Sequence, residues 1–185
     1  MNGMTIRVAE DDDLRVVLGL LNGSAAWLHS KGVDQWPSGF TADRIRPCIE
    51  SRRTLLAEQH GHAAGTVAVS PWGDSDFWTD RELIVPAWYV SKLAVARVQA
   101  GRGIGDWILR WVSDLAASNG VGWIRLDAWR TNRRLHQWYA DHGWEPVRVM
   151  NVPGRGSGAL FRRRAVPDPD ARKFFLPAVP SASCT

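Results

Sequence analysis

The chain has 185 residues, of which 23 are basic and 19 acidic, so its formal net charge at pH 7 is +4. Hydrophobic residues make up 45% of the chain and charged residues 23%, which is typical of one globular domain and excludes a wholly disordered chain. The chain starts without the features of a signal peptide, no run approaches the ~18 apolar residues of a membrane span, and only two cysteines occur, so we expect a cytoplasmic protein.

The first half of the chain alternates between polar turns and short apolar runs. Apolar residues recur at helical spacing from Leu14 onward, directly after an acidic cluster suited to a helix N-terminus. Thr41 is a typical cap for a second helix, although Pro47 lies inside that helix. In chain order, the predicted elements are a strand at 4–9, a helix at 14–30, a helix at 42–51, a hairpin of strands at 55–58 and 65–70, and a polar, aromatic loop at 71–82.

The second half of the chain contains the most regular segments. Residues 87–95 form an apolar run long enough for a central strand, and the helix that begins at Ile104 has the clearest apolar face in the chain. The remaining predicted elements are a strand at 123–129, a helix at 133–141, strands at 146–150 and 159–163, and an irregular tail rich in Pro, Ala and Ser at 166–185. This order of elements predicts an α/β fold with a mixed sheet and helices on both faces.

A glycine-rich turn joins the predicted central strand to the following helix. Gly101, Gly103 and Gly105 allow a ligand to approach the backbone closely, and the free N–H groups at a helix start favour phosphate oxygens. The dinucleotide-binding fingerprint fails because Asp106 stands where a third spaced glycine is needed, and no Gly-Lys-Ser/Thr follows as in a P-loop. Taken alone, the turn therefore predicts either an anion site or a purely structural loop.

Two segments together resemble a known family. Leu93-Ala94-Val95, five further residues and then Gly101-Arg102-Gly103-Ile104-Gly105 resemble motif A of the GNAT superfamily of acyl-CoA N-acyltransferases. The strand at 124–128, followed by Asn132, Leu135, Tyr139 and His142-Gly143-Trp144, resembles the second half of that signature. The resemblance covers about residues 4–163. It implies a GNAT domain over 1–165, with a mixed, mostly antiparallel sheet of six to seven strands.

The resemblance also implies an activity and a set of site residues. An acetyl or other acyl group would pass from acetyl-CoA, the co-substrate, to an amine by direct attack in a ternary complex. Asn132 would hold the cofactor or position the next helix, and Tyr139 would protonate the departing thiolate. The backbone of one strand segment would pair with the pantetheine arm, and the amides of the glycine loop would hold the pyrophosphate. These two segments are Leu93, Ala94 and Val95, and Gly101, Arg102, Gly103, Ile104 and Gly105.

Two positions depart from the family's pattern. Ala100 replaces the Gln or Arg of motif A, so one phosphate contact is lost or is supplied by Gln99 or Arg102. The central strand also lacks the glutamate that many members use as general base. Our candidate base is Asp127 on the next strand, and the alternatives are Glu82, Asp80 or a water held by backbone carbonyls.

Tryptophan is the most unusual feature of the composition, with 11 residues against 2 Tyr and 5 Phe. Trp107 and Trp111 lie on the apolar face of the helix after the glycine loop and predict core positions. Four others are candidates for an aromatic acceptor site, because they fall in loops that cover the acceptor pocket in the resembling family or on strands that flank the CoA cleft. They are Trp36, Trp78, Trp88 and Trp129, and the alternative for the last two is sheet core.

We therefore expect an N-acetyltransferase whose acceptor is a small amine or an amino-acid-like molecule. Two alternatives stay open: a GNAT-fold acyltransferase that takes its acyl group from aminoacyl-tRNA, and a non-catalytic sensor of CoA or another metabolite. The first is favoured by 20 Arg against 3 Lys, and the second by the missing strand acid.

No metal is expected, because His60 and His62 flank a turn without neighbouring ligands. A membrane partner is not expected either, while a homodimer is compatible with the sequence.

Overall fold

Seven strands and five helices build the fold, and the computed structural model describes residues 3–170. The strands are β1 (Met4–Val8), β2 (Thr54–Gln59), β3 (His62–Ser70), β4 (Ala87–Val95), β5 (Trp123–Trp129), β6 (Glu145–Val149) and β7 (Ser157–Arg164). The helices are α1 (Leu14–Ser30), α2 (Ala42–Glu50), α3 (Asp80–Leu83), α4 (Ile104–Ser118) and α5 (Arg133–Asp141). Most of the predicted irregular tail, residues 171–185, lies outside the described residues.

All seven strands belong to one sheet, in the order β1-β2-β3-β4-β5-β7-β6. The central pair, β4 and β5, is parallel, and each of the other five neighbouring pairs is antiparallel. The parallel pair needs a crossover connection, and α4 provides it between the two strands. The predicted α/β class with a mixed, mostly antiparallel sheet of six to seven strands is thereby confirmed.

Apolar side chains alternate between the two faces of the sheet. Leu55 and Ala57 pack in a cluster with residues of α4, whereas Leu56 between them packs in a cluster with residues of α1 and α2. The first cluster also contains Trp107 and Trp111, which are 7% and 6% exposed, as expected for core positions. We call the two sides of the sheet the α4 face and the α1 face.

One glycine allows α4 to lie close to the sheet. A methyl group at Gly65 of β3 would lie 2.8 Å from Cδ1 of Ile108 and 2.9 Å from the carbonyl oxygen of Ala94. Both distances are below normal contact, so only glycine fits without a shift of helix or strand. The packing at Gly65 therefore fixes the height of α4 above β3 and β4.

The structure adds one helix to the predicted elements, and the predicted helix that contains Pro47 is present. A short helix, α3, lies inside the predicted loop at 71–82, and the Thr79 and Glu82 side chains form a capping box at its start. The Thr-x-x-Glu spacing was the sequence signal for this helix. Helix α2 continues past Pro47, and the side chain of Ser51 donates a hydrogen bond to the Pro47 carbonyl just beyond the helix end.

Two kinds of feature are absent from residues 3–170. No helix in this part of the chain is long and apolar enough to cross a membrane. Likewise, no group of three or more His, Cys, Asp or Glu side chains in the described range is arranged to hold a metal ion.

Candidate active site

The parallel strands β4 and β5 separate at their carboxyl ends. Their last paired residues are Val90 and Leu126, although β4 continues to Val95 and β5 to Trp129. Beyond this point β4 pairs only with β3, and β5 only with β7, within the described residues. The backbone of 91–95 therefore has a free edge facing β5, to which an extended ligand could add like a strand.

A bulge in β4 lies at this separation. Lys92 has a left-handed backbone with φ of 54°, and the register with β3 shifts between Thr66 and Ala68. Val90 and Leu93 both pack with the α4-face cluster, so the bulge places Ser91 and Lys92 between two residues that share a face. An extra residue bends a strand and increases its twist, which is a physical reason for β4 to leave β5 here.

The glycine loop opens directly beside this free edge. Gly101 and Gly103 have φ values of 78° and 77°, in the left-handed region that favours glycine. The first hydrogen bond of α4 runs from the Trp107 N–H to the Gly103 carbonyl at 3.0 Å. The N–H groups of Ile104, Gly105 and Asp106 consequently have no partner within the helix, which is the geometry that the predicted anion site requires.

Gly105 connects the loop with both neighbouring elements. A methyl group at this position would lie 3.7 Å from Cγ2 of Val95 and 3.9 Å from the ring of Trp138. The end of β4, the glycine loop and α5 therefore meet at Gly105. This arrangement brings together the predicted pantetheine strand, the predicted pyrophosphate loop and the helix that carries Tyr139.

The replaced position of motif A lies just before the loop. Gln99 ends a short 3-10 helix, and its side-chain oxygen is buried without a hydrogen-bond partner among the described residues. Ala100 and Arg102 are both exposed. Arg102 is thus accessible beside the loop, whereas the Gln99 oxygen is shielded, and the predicted replacement of the lost contact by either residue stays a prediction.

Tyr139 lies on the buried face of α5. It is 7% exposed, and its ring packs edge-on against Trp138 and Trp144 and at a tilt against Phe161. Burial, and secondarily the charge of Asp127, raise the pKa of the Tyr139 phenol above its usual value. Because its pKa is raised, the hydroxyl is protonated at neutral pH. Within residues 3–170 it makes no hydrogen bond, so its proton is available to a ligand.

Asp127 is the first residue of β5 beyond the last pair with β4. Burial raises its pKa above the ordinary 3.8, while a hydrogen bond with the Ser157 side chain and the charge of Arg155 act in the opposite direction. Arg155, from the β6–β7 loop, is itself paired with Asp74 at 2.6 Å. A half-buried carboxylate with a raised pKa next to a cleft is a candidate proton acceptor.

The alternative base Glu82 is occupied by an ion pair. Both of its carboxylate oxygens accept hydrogen bonds from Arg148, at 2.8 and 2.7 Å. The Arg148 guanidinium lowers the pKa of Glu82 to about 2, which makes it a poor proton acceptor at neutral pH. The other alternative, Asp80, is exposed in the first turn of α3.

Asn132 caps α5 rather than pointing freely into the opening. Its side-chain oxygen accepts a hydrogen bond from the Leu135 N–H at 3.1 Å, and its side-chain nitrogen donates to Oε1 of Gln35 at 2.8 Å. These hydrogen bonds are those expected of a residue that positions the next helix, one of the two roles that the resemblance implies for Asn132.

The four candidate acceptor tryptophans do not form one group. Trp88 packs with the α4-face cluster, together with Val90, whereas Tyr89 between them packs with Trp78 on the other side. Trp78 is 2% exposed and covered by its cluster. Trp129 lies at the end of β5 and Trp36 in the α1–α2 loop, where it packs edge-on against Phe40 at 5.0 Å. Trp36 and Trp129 belong to segments that are joined by the hydrogen bond between the Trp129 indole and Asp34, two residues before Trp36.

Two residues of the site were missed by the sequence reasoning. Asp34 Oδ1 accepts hydrogen bonds from Trp129 Nε1 at 3.1 Å and from Thr131 Oγ1 at 2.6 Å, and Gln35 binds Asn132. Both belong to the loop between α1 and α2, about 95 residues before their partners. No local spacing in the sequence connects two segments so far apart, so no signal identified them.

Comparison with known proteins places this geometry among related folds. Residues 24–144 match the sequence model of the acetyltransferase (GNAT) family. An uncharacterized N-acetyltransferase of Bacillus subtilis (strain 168), YesJ, is 30% identical over 149 residues, which cover 72% of this chain and 77% of the relative.

Solved structures give the same result for the fold. A GNAT-family acetyltransferase from Listeria monocytogenes superposes with a TM-score of 0.74 at 26% identity, covering 87% of this chain and 94% of that one. YncA from Salmonella typhimurium, solved with its cofactor acetyl-CoA, superposes with a TM-score of 0.62 at 19% identity over 91% of this chain and 99% of that one.

Proposed function

The chain belongs to the GNAT family of acetyltransferases, and on this premise we propose that it transfers an acetyl group from acetyl-CoA to the amine of a small-molecule acceptor. The observation that carries the proposal is the opening between β4 and β5 beyond Val90 and Leu126. A free strand edge, a helix start whose first N–H groups have no partner within the helix, and the half-buried carboxylate of Asp127 border it, and the protonated Tyr139 phenol is close enough to be affected by the Asp127 charge.

The residues around the opening fit an acyl-CoA. The free edge of Leu93, Ala94 and Val95 offers backbone groups to an amide-containing arm, and the N–H groups of the glycine loop offer donors to a pyrophosphate. In YncA of Salmonella typhimurium the cofactor is acetyl-CoA. When bound, acetyl-CoA supplies an acyl group activated as a thioester.

Tyr139 and Asp127 divide the proton transfers between them in this proposal. Asp127 accepts the proton that the acceptor's ammonium group must lose before its nitrogen can attack. Tyr139 holds a proton at its hydroxyl for the sulfur that departs as the new amide bond forms. Such acid–base assistance contributes about 10²–10⁴-fold, and the positioning of the two substrates contributes the larger part of the acceleration.

The acceptor side of the opening is the α1 face. Asp127 and Trp129 alternate with residues of the α4-face cluster along β5, so their side chains point toward α1 and its loop. Three carboxylates act there, Asp34, Asp74 and Asp127, against two guanidinium groups, Arg130 beside Asp34 and Arg155 beside Asp74 and Asp127. This balance favours a cationic acceptor such as a primary amine or the ammonium group of an amino-acid-like molecule.

The test of the proposal is thiol release from acetyl-CoA over a panel of primary amines and amino acids. We expect release with some of these acceptors, together with acetylated product by mass spectrometry. Tyr139→Phe should lower kcat by about 10²-fold, because the phenol proton is lost, while CoA affinity stays unchanged.

The chain provides a matched control for this variant. Its other tyrosine, Tyr89, accepts a hydrogen bond from Arg125 at 2.8 Å, so Tyr89→Phe should cost about 1 kcal/mol of stability without a comparable loss of kcat. Equal rates for Tyr139→Phe and wild type would refute the acid role. Absence of CoA binding by calorimetry would refute the proposal as a whole.

A further inference from the structure

The loop between α1 and α2, residues 31–41, reaches from the end of α1 to the end of β5, which borders the opening between β4 and β5. Near the middle of the loop, one carboxylate oxygen of Asp34 accepts hydrogen bonds from the Trp129 indole at 3.1 Å and from the Thr131 hydroxyl at 2.6 Å. The Thr131 hydrogen bond is the main reason why the pKa of Asp34 lies below its usual value. Asp34 is therefore ionised at neutral pH and holds both donors by charge-assisted hydrogen bonds.

The next residue makes a second connection to the same region. Gln35 is 7% exposed, and its Oε1 accepts a hydrogen bond from the Asn132 side chain at 2.8 Å. Asn132 in turn caps α5 through the Leu135 N–H at 3.1 Å. A single buried amide thus links the α1–α2 loop to the first turn of the helix that carries Tyr139.

Other hydrogen bonds hold the loop to α1. The Gln35 carbonyl lies 3.1 Å from Nε2 of His29, and the backbone of Phe40 exchanges two hydrogen bonds with the Asn22 side chain at 2.7 and 3.0 Å. The loop is thereby anchored to α1 at Gln35 and at Phe40. Asp34 and Gln35 can therefore fix the position of residues 129–132 relative to α1, which itself packs against β3 and β4.

From these contacts we infer that Asp34 and Gln35 form a clamp that positions Trp129 and, through Asn132 and α5, the Tyr139 hydroxyl for acetyl transfer. The inference rests on the proposed function. Asp34 and Gln35 are positioning residues: Asp34 fixes a wall of the acceptor side, and Gln35 fixes the start of the acid-bearing helix. A shift of a reacting group by about 1 Å can slow a reaction about 10²-fold, so a loosened clamp should be visible in kcat.

The first experiment replaces Gln35. Gln35→Leu leaves the Asn132 amide without its acceptor, and we expect kcat to fall about 10-fold or more while the affinity for CoA stays within about two-fold. Gln35→Glu keeps an oxygen at the same position and should restore most of kcat. The control is Asp12→Ala, an exposed carboxylate without a hydrogen bond among the described residues, which should leave kcat unchanged.

A double-mutant cycle tests whether Gln35 acts through Tyr139. In a Tyr139→Phe background, Gln35→Leu should have little further effect on kcat, because the positioned hydroxyl is already absent. An equal loss in both backgrounds, or failure of Gln35→Glu to restore kcat, would overturn the inference. A purely structural role would lower the unfolding temperature without this non-additivity.

The second experiment does not depend on activity. The Trp129 indole N–H gives its own proton–nitrogen resonance, which Asp34→Ala should shift and Asp12→Ala should not. Gln35→Leu should speed amide exchange at Leu135 in the first turn of α5. If neither signal changes, the clamp is wrong even if acetylation occurs. If both change but no amine is acetylated and CoA does not bind, the proposed function is wrong while the clamp exists.

Discussion

Asp127 combines two properties that rarely coincide in a residue kept only for stability. It is a half-buried carboxylate whose pKa is raised by burial, and its nearest cation, Arg155, is already paired with Asp74. A desolvated acid weakens the folded state at neutral pH, because charging it costs more in the protein than in the unfolded chain. Such a cost is typical of a functional position.

Replacement of Asp127 should therefore lower activity. Asp127→Asn removes the proton acceptor, so kcat/KM should fall by about 10²–10⁴-fold. In the wild type, kcat/KM should rise with pH as Asp127 ionises, with a midpoint above the ordinary 3.8, and this rise should be absent from the variant. Initial rates between pH 4 and 9 measure both effects, with the exposed Asp43→Asn as control. An unchanged pH profile in Asp127→Asn would exclude Asp127 as the base.

The same variant, Asp127→Asn, should lose activity without losing stability. Because the folded-state pKa of Asp127 is raised, the stability penalty from this group grows as pH rises through that pKa. Asp127→Asn removes the penalty, so its unfolding temperature at pH 7 should equal or exceed that of the wild type. A clear loss of stability would instead indicate a structural role for the carboxylate.

At the scale of elements, the glycine loop and α4 form one functional unit. Gly101 and Gly103 are required by their left-handed backbones, whatever binds there. Gly105 is different, because its φ lies outside that region and a methyl group would make only ordinary contacts with Val95 and Trp138. The fold alone thus gives no reason for glycine at 105, and close approach of a ligand does.

The variant Gly105→Ala tests whether glycine at this position serves the fold or the close approach of a ligand. Alanine is favoured over glycine in a helix by about 0.5–1 kcal/mol, so the variant should be as stable as wild type or more stable. If the backbone at 105 faces CoA, the added methyl group should weaken CoA binding by about 10-fold, which corresponds to about 1.4 kcal/mol.

Calorimetry with CoA and thermal unfolding together measure the outcome. Gly19→Ala is the matched control, because Gly19 is an exposed glycine of α1 with no atom within 4 Å of the added methyl position. It should gain similar stability and bind CoA normally. Normal CoA binding by Gly105→Ala would place the ligand away from this turn.

At the scale of the whole molecule, the abundant arginines mainly join distant parts of the chain. Arg148 of β6 binds Glu82 of α3 through two hydrogen bonds and also donates to the Phe77 carbonyl at 2.6 Å. Arg162 and Arg164 of β7 both stack on the Trp123 ring, at 4.8 and 4.0 Å. Guanidinium groups suit such bidentate and stacked contacts, which accounts for the excess of Arg over Lys without an RNA partner.

The pair of Glu82 and Arg148 should make stability depend on pH. Glu82→Gln should lower the free energy of unfolding by about 1 kcal/mol at pH 7, since the pair is bidentate but partly exposed. The pKa of Glu82 is lowered to about 2, so the wild type's advantage should disappear as pH falls from about 4.5 to about 2. Urea unfolding at pH 7 and pH 2.5 measures the difference. Glu145→Gln, which breaks a more exposed pair with Arg162, should change little at either pH.

The sequence alone predicted most of the helices whose hydrogen bonds form between neighbours along the chain. The helix after the glycine loop and the helix that carries Tyr139 depend on spacings of three and four residues, and each lies where the sequence predicts it. Trp107 and Trp111 were placed in the core by the same spacing. The short helix α3 was overlooked although its capping residues, Thr79 and Glu82, were readable.

What the tertiary structure alone decided is which distant side chains share a face. Trp88 and Trp129 both lie on central strands, yet the alternation of side chains and the register between β4 and β5 place them on opposite faces. Asp34 and Gln35 meet Trp129 and Asn132 only because α1 packs across the sheet, about 95 residues away in the chain. Local spacing determines helices, caps and the anion-binding loop because their hydrogen bonds close within a few residues. The acceptor side depends on strand register and packing, which no local pattern specifies.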